Sequence, residues 1–420
     1  MIKISKFIGF RGLSNLEQIL NKRRSLNNKT IPVVTKIIKE KKKDKNKALI
    51  KYEKRFSNNN KIKPSVLEIN KAIKSLNPSI KKAIDFSFKR IFKYHSLQKI
   101  KNIYFKDKLN NSLGYKTVSI NKVGIYVPAN LPSTLLMTAI PAKIAGVKKI
   151  ILANPRLNKK LNPAVMYAAK KLGIKEIYSI GGAQAIGSLA YIQKVDKIVG
   201  PGNIYVAKEK KEVFGDVGVE GMLAGPSEIT ILADKKSEIY SVVTSLIGQA
   251  EHDANSQCII ISRDIKFLKE INSLINLYLK KLPRQKIATK SLKKNGLLIH
   301  AKNEKNIIDL INLIAPEHLE LNVANPKKYL KKIVNAGSIC IGKFSAMAVT
   351  DYNAGTNHVL PTMGSARFAS GLNVADFYKK ISYINLSKKG IEEIGKQAIT
   401  LAEYENLEGH AQSIKSRIRS

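Results

Sequence analysis

Short β-rich runs alternate with helical segments from residue 123 onward, and this alternation limits the chain to a small number of folds. Residues 123–127 form a β-rich run, residues 133–145 have a helical pattern, and residues 149–153 are again an apolar run. Together they predict a β-α-β unit, in which a helix joins two parallel strands. The alternation continues to a further strand at residues 197–199. The pattern therefore predicts a parallel sheet that is covered by helices.

A second alternating series begins at residues 228–232 and extends to a strand at residues 338–341. The glycine-rich stretch between the two series indicates that the chain crosses from one domain to another near Pro226. A single hydrophobic core stops growing near ~250 to 300 residues, so a chain of 420 residues is expected to have more than one. The predicted fold class is α/β, with two Rossmann-like parallel-sheet domains, a helical N-terminal segment and a helical C-terminal tail.

The predicted domain boundaries follow the changes in this pattern. Residues 1–30 are assigned to the N-terminal helical segment, residues 31–122 and 228–372 to a first α/β domain, and residues 123–227 to a second. Residues 373–420 form the tail, where the strand alternation ends. Ser14 and Ser65 each precede a glutamate by three positions, which is the signature of a capping box. The two serines therefore predict helices that begin beside them.

The formal net charge of +43 is a reason to consider nucleic-acid binding, in which Lys and Arg neutralise phosphates. The lysines are spread along the whole chain, and no zinc finger, aromatic RNA-binding motif or arginine-rich arm accompanies them. In the densest run, residues 36–47, Ile37 and Ile38 follow Val33 and Val34 by four positions, as on an amphipathic helix with a charged outer face. We therefore interpret the lysines as solvated surface and expect no specific nucleic-acid partner.

The N-terminal residues, the apolar runs and the cysteines indicate where in the cell the protein is expected. Residues 1–12 mix basic and apolar residues without the order of a secretory signal. No apolar run approaches the ~18 residues that a membrane helix needs. The two cysteines, Cys258 and Cys340, lie in apolar strand-like runs, where buried and unreactive thiols are usual. We expect a cytoplasmic protein with no membrane contact, no disulfides and no thiolate metal site.

Two helical segments carry polar residues that are candidates for metal binding. Gln249 and His252 are three positions apart near a helix end, and this spacing places both side chains on one face, where they can converge on an ion. Surface polarity explains the same spacing equally well. Glu405 and His410 lie in the helical tail, where they are either functional or simply solvated.

Two polar loops carry paired carboxylates and imidazoles. Glu317 and His318 are adjacent after a helical segment, and a neutral His can accept an alcohol proton near neutral pH while a neighbouring Glu orients it or activates water. The alternative is ordinary helix-start chemistry. Asp351 and His358 lie in a Gly-containing stretch between a strand and the next apolar run, where either functional side chains or a plain turn is expected.

The sequence lacks the dinucleotide-binding fingerprint G-x-G-x-x-G after a strand, so this signature gives no support for NAD binding. Residues 181–185 read GGAQA at a point where a strand gives way to a helix. Small residues there permit close approach of a ligand to the backbone, and a helix N-terminus favours a phosphate. Tight packing between the strand and the helix is the alternative interpretation.

In their order along the chain, these segments resemble the histidinol dehydrogenase family. The resemblance extends from about residue 31 to the C-terminus and rests on the sequences VGIYVP at 123–128, GGAQA at 181–185, GPGN at 200–203, AGPSE at 224–228, QAEHD at 249–253, APEHL at 315–319 and DYNAGTNHVLPT at 351–362. The joint match is far more specific than any one motif.

Membership in this family implies one Zn²⁺ per subunit, held by Gln249, His252, Asp351 and His410. Such a set of nitrogen and oxygen donors suits zinc and leaves coordination positions open for substrate. The metal is expected mainly to anchor and orient the amino and imidazole nitrogens of the substrate.

The family also implies roles for the remaining candidates. His318 is the base for the alcohol proton, and Glu317 activates the water that attacks the aldehyde. The implied substrate contacts are the four metal ligands, His318, Ser227, His358 and Glu405. The implied NAD contacts are Tyr126, Gln184 and Asn203.

The implied reaction is the oxidation of L-histidinol through L-histidinal to L-histidine, in which two NAD⁺ are reduced at one site. These are the last two steps of histidine biosynthesis. The alternative is a zinc and NAD dehydrogenase of the same fold that acts on another small polar alcohol, such as a sulfonated diol. Retention of His358, Glu405 and His410 favours histidinol, because an anionic substrate calls for additional Arg or Lys. The family further implies a homodimer in which the tail is exchanged between subunits.

Overall fold

The structure is a computed structural model that describes residues 2–25, 32–220 and 225–419. The chain begins with a short strand, four helices and two further strands. These are β1 (Ile4–Ser5), α1 (Gly9–Ser25), α2 (Pro32–Ser57), α3 (Val66–Lys74), α4 (Pro78–Ser96), β2 (Ile103–Lys106) and β3 (Ser112–Ser119).

The middle of the chain forms a five-stranded sheet. Its elements are β4 (Lys122–Tyr126), α5 (Pro132–Ile144), β5 (Lys149–Ala153), α6 (Pro163–Lys171), β6 (Glu176–Tyr178), α7 (Gly182–Gly187), a π-helical turn (Ser188–Ile192), β7 (Lys197–Val199), α8 (Ile204–Val213) and β8 (Gly218–Val219). The strand order is β6-β5-β4-β7-β8, and all neighbours pair in parallel. The order reverses between β4 and β7, and ligands of open parallel sheets bind beyond the carboxyl ends of the strands at such a point.

The rest of the chain supplies most of a six-stranded sheet and the tail. The elements are β9 (Glu228–Ala233), α9 (Ile239–Ala250), β10 (Gln257–Ser262), α10 (Ile265–Leu279), α11 (Gln285–Asn295), β11 (Gly296–His300), α12 (Glu304–Ile314), β12 (His318–Asn322), α13 (Lys327–Leu330), β13 (Ser338–Ile341), α14 (Met347–Thr350), two 3₁₀ turns (Ser365–Arg367 and Val374–Phe377), β14 (Tyr378–Asn385), α15 (Lys388–Tyr404) and α16 (Glu408–Ile418).

The six-stranded sheet has the order β1-β11-β10-β9-β12-β13 and is parallel throughout. Strands β9 and β10 are buried along their whole length. Helices cover both faces of the sheet, which explains why these strands appear in the sequence as continuous apolar runs and not as alternating patterns. The fold class predicted from the sequence is confirmed.

Helices α2, α3 and α4 pack on the helices of the five-stranded sheet. The side chains of Val34, Ile37 and Tyr52 on α2 form a buried cluster with Ala183 of α7. This packing differs from the sequence-based grouping of residues 31–122 with residues 228–372. Burial of the apolar face of α2 against α7 decides its position.

The two ends of the chain contain strands that the sequence pattern did not predict. Strand β1 extends the six-stranded sheet beside β11, and β14 pairs antiparallel with β3, which also pairs with β2. The helical tail is therefore attached to a small three-stranded sheet.

Of the two predicted capping boxes, the start of α3 is confirmed, because the Ser65 side chain accepts a hydrogen bond from the backbone N–H of Glu68. The other is wrong, since Ser14 lies inside α1, which begins at Gly9. Among the described helices, none combines the length and apolar character that crossing a bilayer requires.

Candidate functional site

A cavity of about 260 Å³ lies between the carboxyl edge of the five-stranded sheet and the amino edge of the six-stranded sheet. Gly200 and Pro201, which follow β7, line it on one side. Ser227 before β9 and His318 at the start of β12 line it on the other. The further polar lining residues are Gln249, His252, Glu317, Asp351, His358 and Thr362. The cavity thus brings together most of the site residues predicted from the sequence.

Gln249 and His252 reach the cavity because α9 runs back along the sheet and ends at the amino edge of the strands. Gln249 is 1% exposed, and among the described residues neither its side-chain oxygen nor its nitrogen has a hydrogen-bond partner. An unpaired buried amide costs free energy, so this group is arranged for a partner that the described part of the chain does not supply. Burial lowers the pKa of His252, which keeps its imidazole neutral and able to bind a cation.

Glu317 and His318 are placed by β12, which pairs with β9 on one side and β13 on the other. Glu317 Oε2 accepts a hydrogen bond of 2.7 Å from the backbone N–H of Glu228. Burial raises the pKa of Glu317 well above its usual value, and the nearby carboxyl groups of Glu228 and Asp351 raise it further. Glu317 is therefore protonated over a wider pH range than an exposed glutamate.

The His318 imidazole is buried, and its Nε2 lies 4.0 Å from Glu317 Oε1 and 3.9 Å from Asp351 Oδ1. Burial lowers its pKa to about 3, with smaller contributions from His358 and His252. The ring is thus neutral at ordinary pH, and its Nδ1 has no hydrogen-bond partner within the part of the chain that the structure describes. A neutral imidazole in this position is free to accept a proton from a ligand in the cavity.

Asp351 and His358 come from the loop that follows α14. His358 Nδ1 lies 2.8 Å from the backbone oxygen of Asp351, and this hydrogen bond fixes the imidazole relative to the carboxyl group. Burial raises the pKa of Asp351 to about 7 and lowers that of His358 to about 4. A buried carboxyl group is a suitable ligand for a positively charged ion, because the ion compensates its buried charge.

The three predicted NAD contacts lie at the carboxyl edge of the five-stranded sheet. Tyr126 ends β4, and its hydroxyl accepts a long hydrogen bond of 3.4 Å from the backbone N–H of Gly182. Gln184 in α7 is only 3% exposed. Asn203 is exposed and caps α8 through hydrogen bonds to the N–H groups of Tyr205 and Val206. These positions surround the reversal in strand order between β4 and β7.

Glu405 and His410 lie away from this cavity. Both side chains are exposed in the tail, and neither lines the cavity. Within residues 2–25, 32–220 and 225–419, no three His, Cys, Asp or Glu side chains are grouped so that they hold a metal ion. One described chain therefore brings together Gln249, His252 and Asp351 but not the predicted fourth ligand.

Glu228 is a site residue that the sequence analysis missed. Its backbone N–H donates a hydrogen bond to Glu317, and its side-chain Oε1 accepts one from the backbone N–H of Met363. Burial raises the pKa of its carboxyl group to about 7. The available signal was a glutamate at the start of an otherwise apolar strand, because a carboxyl group in a buried run needs specific partners.

Known proteins resemble this chain in both sequence and structure. The family model described as histidinol dehydrogenase matches residues 20–418. A histidinol dehydrogenase of Pelagibacter ubique (strain HTCC1062) is 57% identical over 411 residues, which are 96% of each chain. One from Hydrogenovibrio crunogenus (strain DSM 25203 / XCL-2) is 39% identical over 423 residues, covering 98% of this chain and 97% of the relative.

The crystal structure of histidinol dehydrogenase from Elizabethkingia anophelis superposes with a TM-score of 0.91 at 34% identity, covering 100% of this chain and 98% of that one. The match in sequence and in structure extends over nearly the whole chain. The chain therefore belongs to the histidinol dehydrogenase family, NAD-dependent oxidoreductases that carry out the final two oxidations of histidine biosynthesis.

Proposed function

We propose that the cavity between the two sheets is the site of both oxidations, in which L-histidinol is converted through L-histidinal to L-histidine with one Zn²⁺ per subunit and two NAD⁺. The observation that carries this proposal is the convergence of Gln249, His252, Glu317, His318 and Asp351 on one cavity. The same cavity is bounded by Gly200 and Pro201, next to the edge where a dinucleotide is expected.

The residues fit a zinc ion. Gln249 offers a buried oxygen that is unpaired among residues 2–25, 32–220 and 225–419, His252 a neutral imidazole and Asp351 a buried carboxyl group. Nitrogen and oxygen donors of this kind are suitable ligands for Zn²⁺. We assign these three residues, together with His410 of a second subunit, as the ligands. When bound, the ion supplies an anchor for the substrate nitrogens, and NAD⁺ supplies the hydride acceptor.

The protein's own residues handle the protons. In the first oxidation, the neutral imidazole of His318 accepts the hydroxyl proton of the alcohol as the carbon loses its hydride. In the second, Glu317 accepts a proton from the water that adds to the aldehyde. The Asp351 carboxyl group contributes to the raised pKa of Glu317, and a cation held by Asp351 would reduce this contribution and favour the ionised form of Glu317. The hydrogen bond from Glu228 N–H holds this carboxylate in place.

We further assign a homodimer in which the tail completes the partner's site. Glu405 and His410 are exposed, and they lie beside exposed apolar side chains of the tail, Leu401, Tyr404 and Leu407. Exposed apolar side chains next to candidate functional residues are typical of a surface that packs against another subunit.

The test is NADH formation by metal-loaded protein with L-histidinol, compared with a panel of other primary alcohols that includes a sulfonated diol. We expect turnover with L-histidinol and release of two NADH per histidinol. A chelator should abolish turnover while circular dichroism shows the fold retained, and Zn²⁺ should restore it. Full turnover by rigorously metal-free protein would exclude the ligand assignment, and preference for another alcohol would exclude the substrate.

A further inference from the structure

Residues 181–184 form the start of α7 and include Gln184; we call this segment the turn. Two buried charged residues of α2 bind it. Glu53 and Lys41 are both 0% exposed, although Glu and Lys are rarely buried completely. Helix α2 is interrupted at Lys45, and Lys41 and Glu53 lie on the two parts of it, both of which pack against α7. Their charges contact the backbone of the turn and the side chain of Gln184, so the turn is fixed by a helix far away in sequence.

Glu53 binds the donors of the turn. Its Oε1 accepts a hydrogen bond of 3.0 Å from the backbone N–H of Gly181 and one of 2.8 Å from the side-chain Nε2 of Gln184. Hydrogen bonds to an ionised acceptor are about twice as strong as those between neutral groups. The amide nitrogen of Gln184 therefore already has a hydrogen-bond partner within the protein. The amide oxygen, Gln184 Oε1, lies beside Gly182.

Lys41 binds an acceptor of the same turn. Its Nζ lies 3.4 Å from the backbone oxygen of Ala183 and 3.4 Å from Glu209 Oε1 on α8. Gly187 packs so closely here that a Cβ would lie 2.5 Å from Glu209 Oε1 and 2.8 Å from Lys41 Nζ. The carboxylate of Glu53 thus holds the donors of the turn, while the ammonium group of Lys41 holds its carbonyl.

Apolar packing alone would hold α2 against α7, and Val34, Ile37 and Tyr52 already form such a cluster around Ala183. The buried charges add fixed hydrogen-bond directions to this packing. Such hydrogen bonds favour ligand binding by a side chain that needs one orientation, because the side chain is already ordered before the ligand binds.

We propose that Glu53 is a positioning residue for the cofactor, which orients the Gln184 amide so that it meets NAD through Oε1. The inference rests on the proposed function, since it takes Gln184 as an NAD contact. Glu53 itself acts through Gln184 and does not touch the cofactor.

The experiment is calorimetric titration of NAD⁺ into metal-loaded protein without histidinol, with KM values for NAD⁺ and histidinol measured in parallel. Glu53→Ala is expected to weaken NAD⁺ binding at least tenfold, while kcat and the KM for histidinol change by less than about threefold. In a Gln184→Ala background, Glu53→Ala should have a smaller effect than in the unsubstituted protein, because its hydrogen bond to Gln184 is already lost and the bond to the Gly181 N–H remains to be lost. Glu40→Ala is the control, since Glu40 is also a glutamate of α2 but lies before the break in the helix at Lys45, where it pairs with Lys51.

An exchange of the two groups separates positioning from a general loss of packing. Gln184→Glu alone should weaken NAD⁺ binding, because two carboxylates then face each other. Adding Glu53→Gln should recover much of the affinity, since the amide introduced on α2 then donates to the new carboxylate on α7. If Glu53→Ala fails to fold, the exchanged pair still tests the proposal. Binding that is unchanged in Glu53→Ala, or additive losses in the double variant, would overturn this inference alone. Absence of NAD⁺ binding by the unsubstituted protein would overturn the proposed cofactor and this inference with it.

Discussion

The adjacent residues Glu317 and His318 are expected to serve different halves of the reaction. His318→Ala should slow histidinol oxidation by ~10² to 10⁴, the range for loss of a general base. Glu317→Ala should chiefly slow histidinal oxidation. Glu317→Gln is the matched control, because it keeps an oxygen for the Glu228 N–H but cannot accept a proton from water. NADH formation from histidinol and from histidinal is measured separately. If Glu317→Ala slowed the alcohol step and left the aldehyde step untouched, the two roles would be reversed.

Lys210 makes stability depend on pH in a defined direction. Its fully buried Nζ donates to the backbone oxygens of Gly200 and Glu220, and burial lowers its pKa to about 8. The unfolded chain keeps this lysine protonated up to pH ~10.4. Between these two values the unfolded state binds more protons, so this residue makes the folded protein more stable as pH rises from about 8.

Lys210→Met should remove this dependence. The unfolding free energy of the unsubstituted protein minus that of the variant should increase by on the order of 2 kcal/mol between pH 7.5 and 9.5, as measured by urea denaturation. Lys175→Met, at an exposed position, controls for the lost surface charge. A difference that stays constant over this pH range would contradict the assignment.

At the scale of elements, apolar runs predicted the central strands well. Strands β5, β7 and β13 have the bounds expected from the sequence. Strands β5 and β7 lie inside their sheet, where strands covered on both faces are largely apolar. Strand β12 was not predicted, since polar and apolar residues alternate in it. Its buried Glu320 accepts hydrogen bonds from Ser245 and from the backbone N–H of Met347, which are distant in sequence. A local pattern cannot reveal such partners.

The loop between β7 and α8 depends on a glycine at its start. Gly200 has a φ of +112°, and a Cβ there would lie 2.0 Å from the backbone oxygen of Tyr126 at the end of β4. Gly200→Ala should displace the loop that borders the cavity and raise the KM for NAD⁺ at least tenfold. Gly215→Ala is the matched control, because Gly215 has a φ of +102° but open space around it. Equal effects of the two substitutions would show that backbone strain, and not the contact with β4, is responsible.

At the scale of the whole molecule, one of the predicted metal ligands does not reach the cavity of its own chain. The resemblance implied His410 as a metal ligand, while the described chain leaves His410 exposed and outside the cavity that contains Gln249, His252 and Asp351. Short motifs determine which side chains are present, but they contain no information about which copy of the chain supplies each one. The gap in the ligand set is the physical reason to expect a second subunit.

The exchange of tails can be tested with two inactive variants, His318→Ala and His410→Ala, which are unfolded together and refolded as mixed dimers. If His410 acts in the partner's site, each mixed dimer has one doubly damaged site and one site built from an intact body and an intact tail. NADH formation should then reappear on mixing, although neither variant is active alone. Each mixed dimer should have up to about half the activity of an unsubstituted dimer, because one of its two sites is intact. If His410 acts in its own chain, every site in the mixture contains one defect. Background activity in mixtures where mass spectrometry confirms mixed dimers would therefore exclude the exchange and require the tail of the same chain to fold back over its own cavity.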